Sequence, residues 1–233
     1  MIMEDLISRS PLRILENSIH GGLGKGNIGA LASRKGVGKT ACLVHIATDK
    51  LFQGKPVIHV SYASRVDHIV SWYEDIFRQL AAGADPEAAA DLHDELVKRR
   101  VIMNFNQAGM RTEQVLRSLE ALIQDGKFPA ETVIVDGFNF SEDSADDLAR
   151  FKDFAGRMGV EVWFSASLKG AEPLFDERGF PRELGCCLDH IDVLITLHNL
   201  KDRVQMRLVK DNGYPAPAEL GLSLDPKTLL IAE

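Results

Sequence analysis

The stretch that decides the fold reads Ser33-Arg34-Lys35-Gly36-Val37-Gly38-Lys39-Thr40. It matches the pattern G-x-x-x-x-G-K-[ST], with serine in place of the first glycine. Glycines let the backbone turn so that successive N–H groups face a phosphate. A helix that follows such a turn directs its N-terminal N–H groups and the positive end of its dipole toward the same anion. The stretch therefore predicts a phosphate-binding loop.

All eight residues of this loop are candidate ligands for a nucleoside triphosphate. We expect Lys39 to reach the β- and γ-phosphates and the Thr40 hydroxyl to bind Mg²⁺. The flanking sequence agrees with this interpretation, because 27–32 is a short, mainly apolar run and 41–51 has helical apolar spacing. Arg34 and Lys35 make the loop unusually basic, and we interpret them as charges beside a polyphosphate.

Composition limits the class of protein. The chain has 233 residues, a formal charge of −7 and 26% charged residues, as in an ordinary globular domain. The negative charge does not support nucleic-acid binding, although it leaves room for a local basic groove. Three cysteines without a C-x-x-C pair are typical of a reducing cytosol. We find neither a signal peptide nor a long apolar run, so the sequence predicts a cytoplasmic protein that does not enter a membrane.

The order of predicted elements alternates between strand and helix. Beyond the loop and its flanks, helices are expected near 11–18, 66–81, 86–99, 112–124 and 143–158, and strands near 56–61, 101–105, 132–136, 160–165, 193–197, 204–209 and 229–232. This pattern predicts an α/β fold of three layers, with a mainly parallel sheet and antiparallel strands at its C-terminal end. We expect one domain over 1–233, with an N-terminal helix near 11–18, a core near 26–215 and a C-terminal strand within 226–232.

A second candidate site residue ends the run Thr132-Val133-Ile134-Val135-Asp136. A buried parallel strand that ends in a carboxylate resembles a Walker B segment. Because the carboxyl ends of parallel strands lie at one edge of the sheet, Asp136 is expected close to a Mg²⁺ ion held through Thr40. The sequence thus predicts Thr40 and Asp136 as the metal ligands.

The segment before the loop carries a more specific resemblance. Ile19-His20-Gly21-Gly22-Leu23-Gly24-Lys25-Gly26-Asn27-Ile28 resembles the entry segment of RecA-fold ATPases of the KaiC, RadA and DnaB branch. The strand that ends at Ser61 resembles their second strand, and 190–213 resembles their closing hairpin. The resemblance spans about 11–215. It implies a RecA-like P-loop domain that binds ATP with Mg²⁺, in which Lys39 and Asp136 serve catalysis, and it implies a homo-oligomer or a protein partner.

The same resemblance shows where the catalytic pattern is interrupted. The family has a carboxylate, usually Glu, just after the second strand, whereas Ala63 stands here and Asp67 is the nearest substitute, with Glu74 further on. The family's hairpin ends in K-x-R-x-G and reaches the neighbouring subunit's nucleotide. This chain keeps Lys210, a candidate nucleotide ligand, but has Asn212 at the arginine position. A missing water-orienting group lowers the hydrolysis rate more than nucleotide affinity.

Two functions follow as alternatives from this pattern. One is a nucleotide-responsive regulatory or assembly module with weak or absent ATP hydrolysis. The other is an active RecA- or KaiC-like ATPase that acts on DNA or on a protein client, in which Asp67 supplies the base.

Between Leu168 and Leu184 the sequence predicts a lid or protein-contact loop with Phe175 and Phe180 exposed.

Overall fold

The computed structural model describes residues 2–63, 67–105, 110–141, 144–214, 216, 219–228 and 230–232. Its helices are α1 (Ile2–Ser8), α2 (Leu12–Ser18), α3 (Lys39–Phe52), α4 (Asp67–Leu80), α5 (Pro86–Lys98), α6 (Thr112–Gln124) and α7 (Ser144–Met158), with a 3₁₀ helix at Arg182–His190. Its strands are β1 (Ile28–Arg34), β2 (Val57–Ser61), β3 (Arg100–Asn104), β4 (Thr132–Asp136), β5 (Glu161–Leu168), β6 (Val193–Asn199), β7 (Val204–Asp211), β8 (Ser223–Leu224) and β9 (Ile231–Ala232).

The strands form one mixed sheet in the order β3-β2-β4-β5-β1-β6-β7-β8-β9. The strands from β3 to β6 run parallel to their neighbours, and β7, β8 and β9 pair antiparallel. Because β5 lies between β1 and β4, the residues that follow all three strands emerge side by side at one edge. That edge is where the predicted phosphate loop and Asp136 are found.

Apolar side chains cover both faces of the sheet. Leu31 of β1 joins a cluster with buried residues of α2, α3 and α4, whereas its neighbours Ala30 and Ala32 join a second cluster with α6 and α7. Alternate residues of a strand point to opposite faces, so the two clusters lie on opposite sides of the sheet. The chain therefore has helices on both sides of a central sheet, which is a three-layer arrangement.

The α/β class, the mainly parallel sheet and the antiparallel C-terminal strands confirm the coarse prediction. Of the predicted boundaries, Val66, Asp143 and Leu229 lie outside the described residues. In the part of the chain that the structure describes, none of the helices is long and apolar enough to cross a membrane.

One expectation about exposure is wrong. Phe175 and Phe180 are half-buried and pack against the cluster on the α6 and α7 face, instead of projecting into solvent. Their loop is pinned at its base, where Phe175 forms a bridge with Pro181. The following segment turns into the 3₁₀ helix, and its buried Leu184 and Cys187 belong to the same cluster.

Candidate nucleotide-binding site

The loop between β1 and α3 has the backbone that a phosphate site requires. Gly36 and Gly38 adopt positive φ angles of 84° and 116°, a region that residues with a side chain rarely enter. Gly38 is also the N-cap of α3, and a glycine offers no side chain to satisfy the first N–H groups of the helix. These donors and the positive end of the α3 dipole are therefore available to an anion at the loop.

Lys39 is buried and folds back over its own loop. Its Nζ donates to the carbonyl oxygen of Ser33 at 3.1 Å, to the carbonyl oxygen of Arg34 at 2.9 Å and to the Ser33 hydroxyl at 3.3 Å. Burial lowers the pKa of Lys39 to about 8, although the negative charge of Asp136 acts in the opposite direction. The ammonium group is thus held among neutral acceptors, where an incoming phosphate oxygen gives it a much stronger partner.

Thr40 and Asp136 meet although 96 residues separate them in the sequence. The Thr40 hydroxyl donates to Asp136 Oδ2 at 2.9 Å. One side chain begins α3 and the other ends β4, and the parallel order of the sheet brings these two points together. A hydroxyl and a carboxylate are the hard oxygen ligands that Mg²⁺ takes together with water and phosphate oxygens. The donor set therefore fits Mg²⁺ bound jointly with a nucleotide.

A cavity of about 740 Å³ opens over these residues. Its volume falls in the range of small-molecule and cofactor sites. Of the predicted ligands, residues 35–40 and Asp136 line it. The other described residues that line it are Ala41, Tyr62, Ala63, Trp72, Gly137, Phe138, Asn139, Phe140, Ser165, Ser167, Lys169, Asn199, Val204, Leu224 and Pro226. Among all these lining residues, Asp136 is the sole carboxylate.

The positions expected to activate water differ in their placement. Ala63 is exposed and lines the cavity, as the predicted base position should. Asp67 begins α4, is exposed and is not one of the described residues that line the cavity. Glu74 lies elsewhere, because its Oε2 is 2.7 Å from Nε2 of His93 on α5. The structure thus brings Ala63 to the site, whereas Glu74 is occupied between α4 and α5.

Three further predicted ligands face away from the cavity. Ser33 is buried beneath the loop, where its hydroxyl donates to the Arg34 carbonyl oxygen at 3.0 Å. The Arg34 guanidinium pairs with Glu172 at 2.7 Å and lowers the pKa of that carboxyl group. Lys210 pairs in register with Leu194, near the start of β6, so it lies at the opposite end of the sheet. A contact between Lys210 and a nucleotide in another subunit stays a prediction.

The C-terminal strands complete the site in a way that the sequence did not predict. Leu224 of β8 presses on the phosphate loop: a Cβ atom placed on Gly38 would lie 2.3 Å from Leu224 Cδ2. In β9, the Ile231 N–H donates to Nδ1 of the buried His45 on α3 at 3.0 Å. Both contacts join residues that lie nearly 190 positions apart, so no local pattern signals them.

Another group of cavity residues could have been predicted from the pairing of strands in the sheet. Ser165 and Ser167 are alternate residues at the end of β5, and Lys169 comes directly after this strand. The strand β5 pairs with β1 on one side and β4 on the other. The Ser165 hydroxyl accepts a hydrogen bond from the Gly137 N–H at 2.8 Å and so fixes the turn after Asp136. Side chains that follow a strand between the loop strand and the Asp136 strand must border the same cavity.

Comparison of the chain with protein-family models and with curated proteins found no match.

Proposed function

We propose that this protein is a RecA-like P-loop domain that binds ATP with Mg²⁺, hydrolyses it weakly or not at all, and acts as a nucleotide-responsive regulatory or assembly module. The observation that carries the proposal is the hydrogen bond of 2.9 Å between Thr40 and Asp136 beside the buried Lys39. Two polar side chains from distant parts of the chain converge on a glycine-rich loop at a helix N-terminus. This constellation suits the phosphates of a nucleotide and their metal ion.

Weak hydrolysis is supported by the charges around the cavity. Phosphoryl transfer to water requires a group that orients the attacking water and charge that stabilises the transition state. Among the described cavity residues, the one carboxylate is Asp136, which already contacts Thr40. Ala63 has no group that could orient water. Asn212, at the position of the family's arginine, carries no charge. The site thus has the groups expected to bind a nucleotide, whereas Ala63 and Asn212 stand where the family has a water-orienting carboxylate and an arginine.

The alternative is an active RecA- or KaiC-like ATPase that acts on DNA or on a protein client. The observation that favours it is the position of α4, because Trp72 of this helix lines the cavity and Asp67 begins the same helix. In this alternative, a movement of the first turn of α4 brings the Asp67 carboxylate to the nucleotide. Turnover by the wild-type protein that disappears in Asp67→Asn would support this alternative.

The cellular setting follows from the same interpretation. All three cysteines, Cys42, Cys186 and Cys187, are unpaired, which suits the reducing cytoplasm. A module of this kind acts through a second copy or a protein partner. The exposed polar residues Asp176, Glu177 and Arg178, in the loop between β5 and the 3₁₀ helix, are available for such contact. Nucleic acid is a weaker candidate partner because the net charge is negative.

Calorimetric titration with MgATP tests the proposal. Lys39→Ala removes the buried cation and should weaken binding by about 1.5–3 kcal/mol, typical of hydrogen bonds to charged groups. Asp136→Asn keeps the shape of the side chain and should chiefly remove the dependence of binding on Mg²⁺. Lys98→Ala, at the exposed end of α5, serves as the matched control, and thermal melts show that each variant is folded. Unchanged affinity in Lys39→Ala would contradict the phosphate-loop assignment.

A further inference from the structure

Lys169 emerges at the edge of the sheet next to the phosphate loop. It follows Leu168, the last residue of β5, which pairs in register with Arg34 at the end of β1. On its other side β5 pairs with β4, which ends in Asp136. Lys169 lines the same cavity as Lys39 and Asp136. Lys35 and Lys39 approach the cavity from the loop, whereas Lys169 approaches it from the neighbouring strand.

The contacts of Lys169 hold its backbone in place but leave its ammonium group able to change partners. Its N–H donates to Glu183 Oε2 at 2.7 Å, while its exposed Nζ donates to the side-chain oxygen of Asn139. In the described part of the chain no carboxylate lies within ion-pair distance of this Nζ. An amide oxygen is a weaker acceptor for an ammonium group than an anionic oxygen. The cation is thus held beside the cavity by a neutral partner that a phosphate can displace.

The charged residues of the cavity indicate which ligand displaces Asn139 from Lys169. Lys35 and Lys39 lie on the loop, and Asp136 with Thr40 suits the metal ion. The end of the cavity bordered by Asn139 therefore has a cation of its own in Lys169. A diphosphate bound at the loop would present its charge to the α3 N-terminus and Lys39. The terminal group of a triphosphate would add one more anion, for which the ends of β4 and β5 offer the remaining cation, Lys169.

We propose that Lys169 leaves Asn139 to bind the terminal phosphate of a bound nucleoside triphosphate, and that it thereby distinguishes the triphosphate from the diphosphate. The inference rests on the proposed nucleotide binding and names the residue that makes it responsive. The release of Asn139 then signals the presence of the terminal phosphate to the turn that follows Asp136.

Calorimetry with two probes, ADP and the non-hydrolysable β,γ-imido analogue of ATP, each with Mg²⁺, tests the inference. Lys169→Met keeps the length of the side chain and removes its charge. We expect it to raise the Kd of the triphosphate analogue about 10- to 150-fold, the range of a lost charge-assisted hydrogen bond. The Kd of ADP should stay unchanged. Lys169→Arg should keep the selectivity, and Lys98→Met is the control for loss of an exposed lysine.

The outcomes separate this inference from the proposed function. If wild-type protein binds both probes and Lys169→Met weakens both equally, or neither, Lys169 does not bind the terminal phosphate and nucleotide binding stands. If the wild-type protein binds neither probe, both proposals are overturned. A selective loss for the triphosphate analogue, with an unchanged thermal melt, supports the inference, because a merely structural role would affect both probes alike.

Discussion

The lowered pKa of Lys39 predicts that nucleotide binding takes up a proton in alkaline solution. With a pKa of about 8 in the free protein, Lys39 is charged at neutral pH and largely neutral above pH 9. A phosphate next to the amine favours the charged form and returns the pKa toward its ordinary value. At pH 8.5, above this pKa, much of the free protein carries neutral Lys39, so binding should take up about half a proton or more. At pH 7, below this pKa, the uptake should be several-fold smaller.

The sign of the effect on affinity follows from the same linkage. Because the complex binds more protons than the free protein, affinity must fall as pH rises above 8, by up to about tenfold per pH unit. Calorimetry in two buffers with different ionisation enthalpies measures the uptake directly. Lys39→Arg serves as the control, since its guanidinium stays charged over this range. Proton uptake that is equal at pH 7 and pH 8.5, or that persists in Lys39→Arg, would refute the reasoning.

Three further predictions concern the cavity and its surroundings. Ala63→Glu should raise ATP turnover without tightening ATP binding, since a water-orienting group acts on the transition state; single-turnover assays beside titrations measure both. Gly38→Ala should destabilise the fold by at least about 1–2 kcal/mol in denaturant unfolding, because its φ of 116° is joined by a clash with Leu224, whereas Gly36→Ala introduces strain alone. Leu224→Ala should relieve part of the Gly38→Ala loss. Burial lowers the pKa of His45 to about 4, so stability should fall as pH drops from 6.5 toward 4, by up to about 3 kcal/mol, and His45→Asn should flatten this dependence.

The fold could be predicted from the sequence where burial leaves a simple pattern. The strand 132–136 is covered on both faces and therefore appears as a compact apolar run, and helix α6 has its apolar residues on one side. The 3₁₀ helix Arg182–His190 has no such period, since it buries Leu184 and Cys187 within a polar stretch. The two-residue strand β8 is too short to leave any pattern.

The candidate site divides in the same way. The phosphate loop is a local feature, because glycine conformation and a following helix can be inferred from a few adjacent residues. The approach of Thr40 to Asp136 could be expected from the parallel strands that end at one edge. The contact of Leu224 with Gly38 could not, since it depends on how β8 and β9 fold back over α3. The partnership of Arg34 with Glu172 is likewise a tertiary contact, and it turns a predicted phosphate ligand away from the cavity.

The contacts of β8 with the phosphate loop and of β9 with α3 couple ligand binding in the cavity to the docking of the C-terminal strands. Leu224 and Pro226 form part of the cavity wall and lie near the C-terminal end of the sequence, whereas the loop lies near its N-terminal end. A ligand that touches both parts stabilises their association by mass action and makes the docking of the last strands more favourable. From the proposed nucleotide binding we expect that a higher nucleotide concentration makes detachment of β9 from His45 rarer. Hydrogen exchange at the Ile231 N–H should therefore slow as the cavity is filled, and it reports occupancy from the other end of the chain.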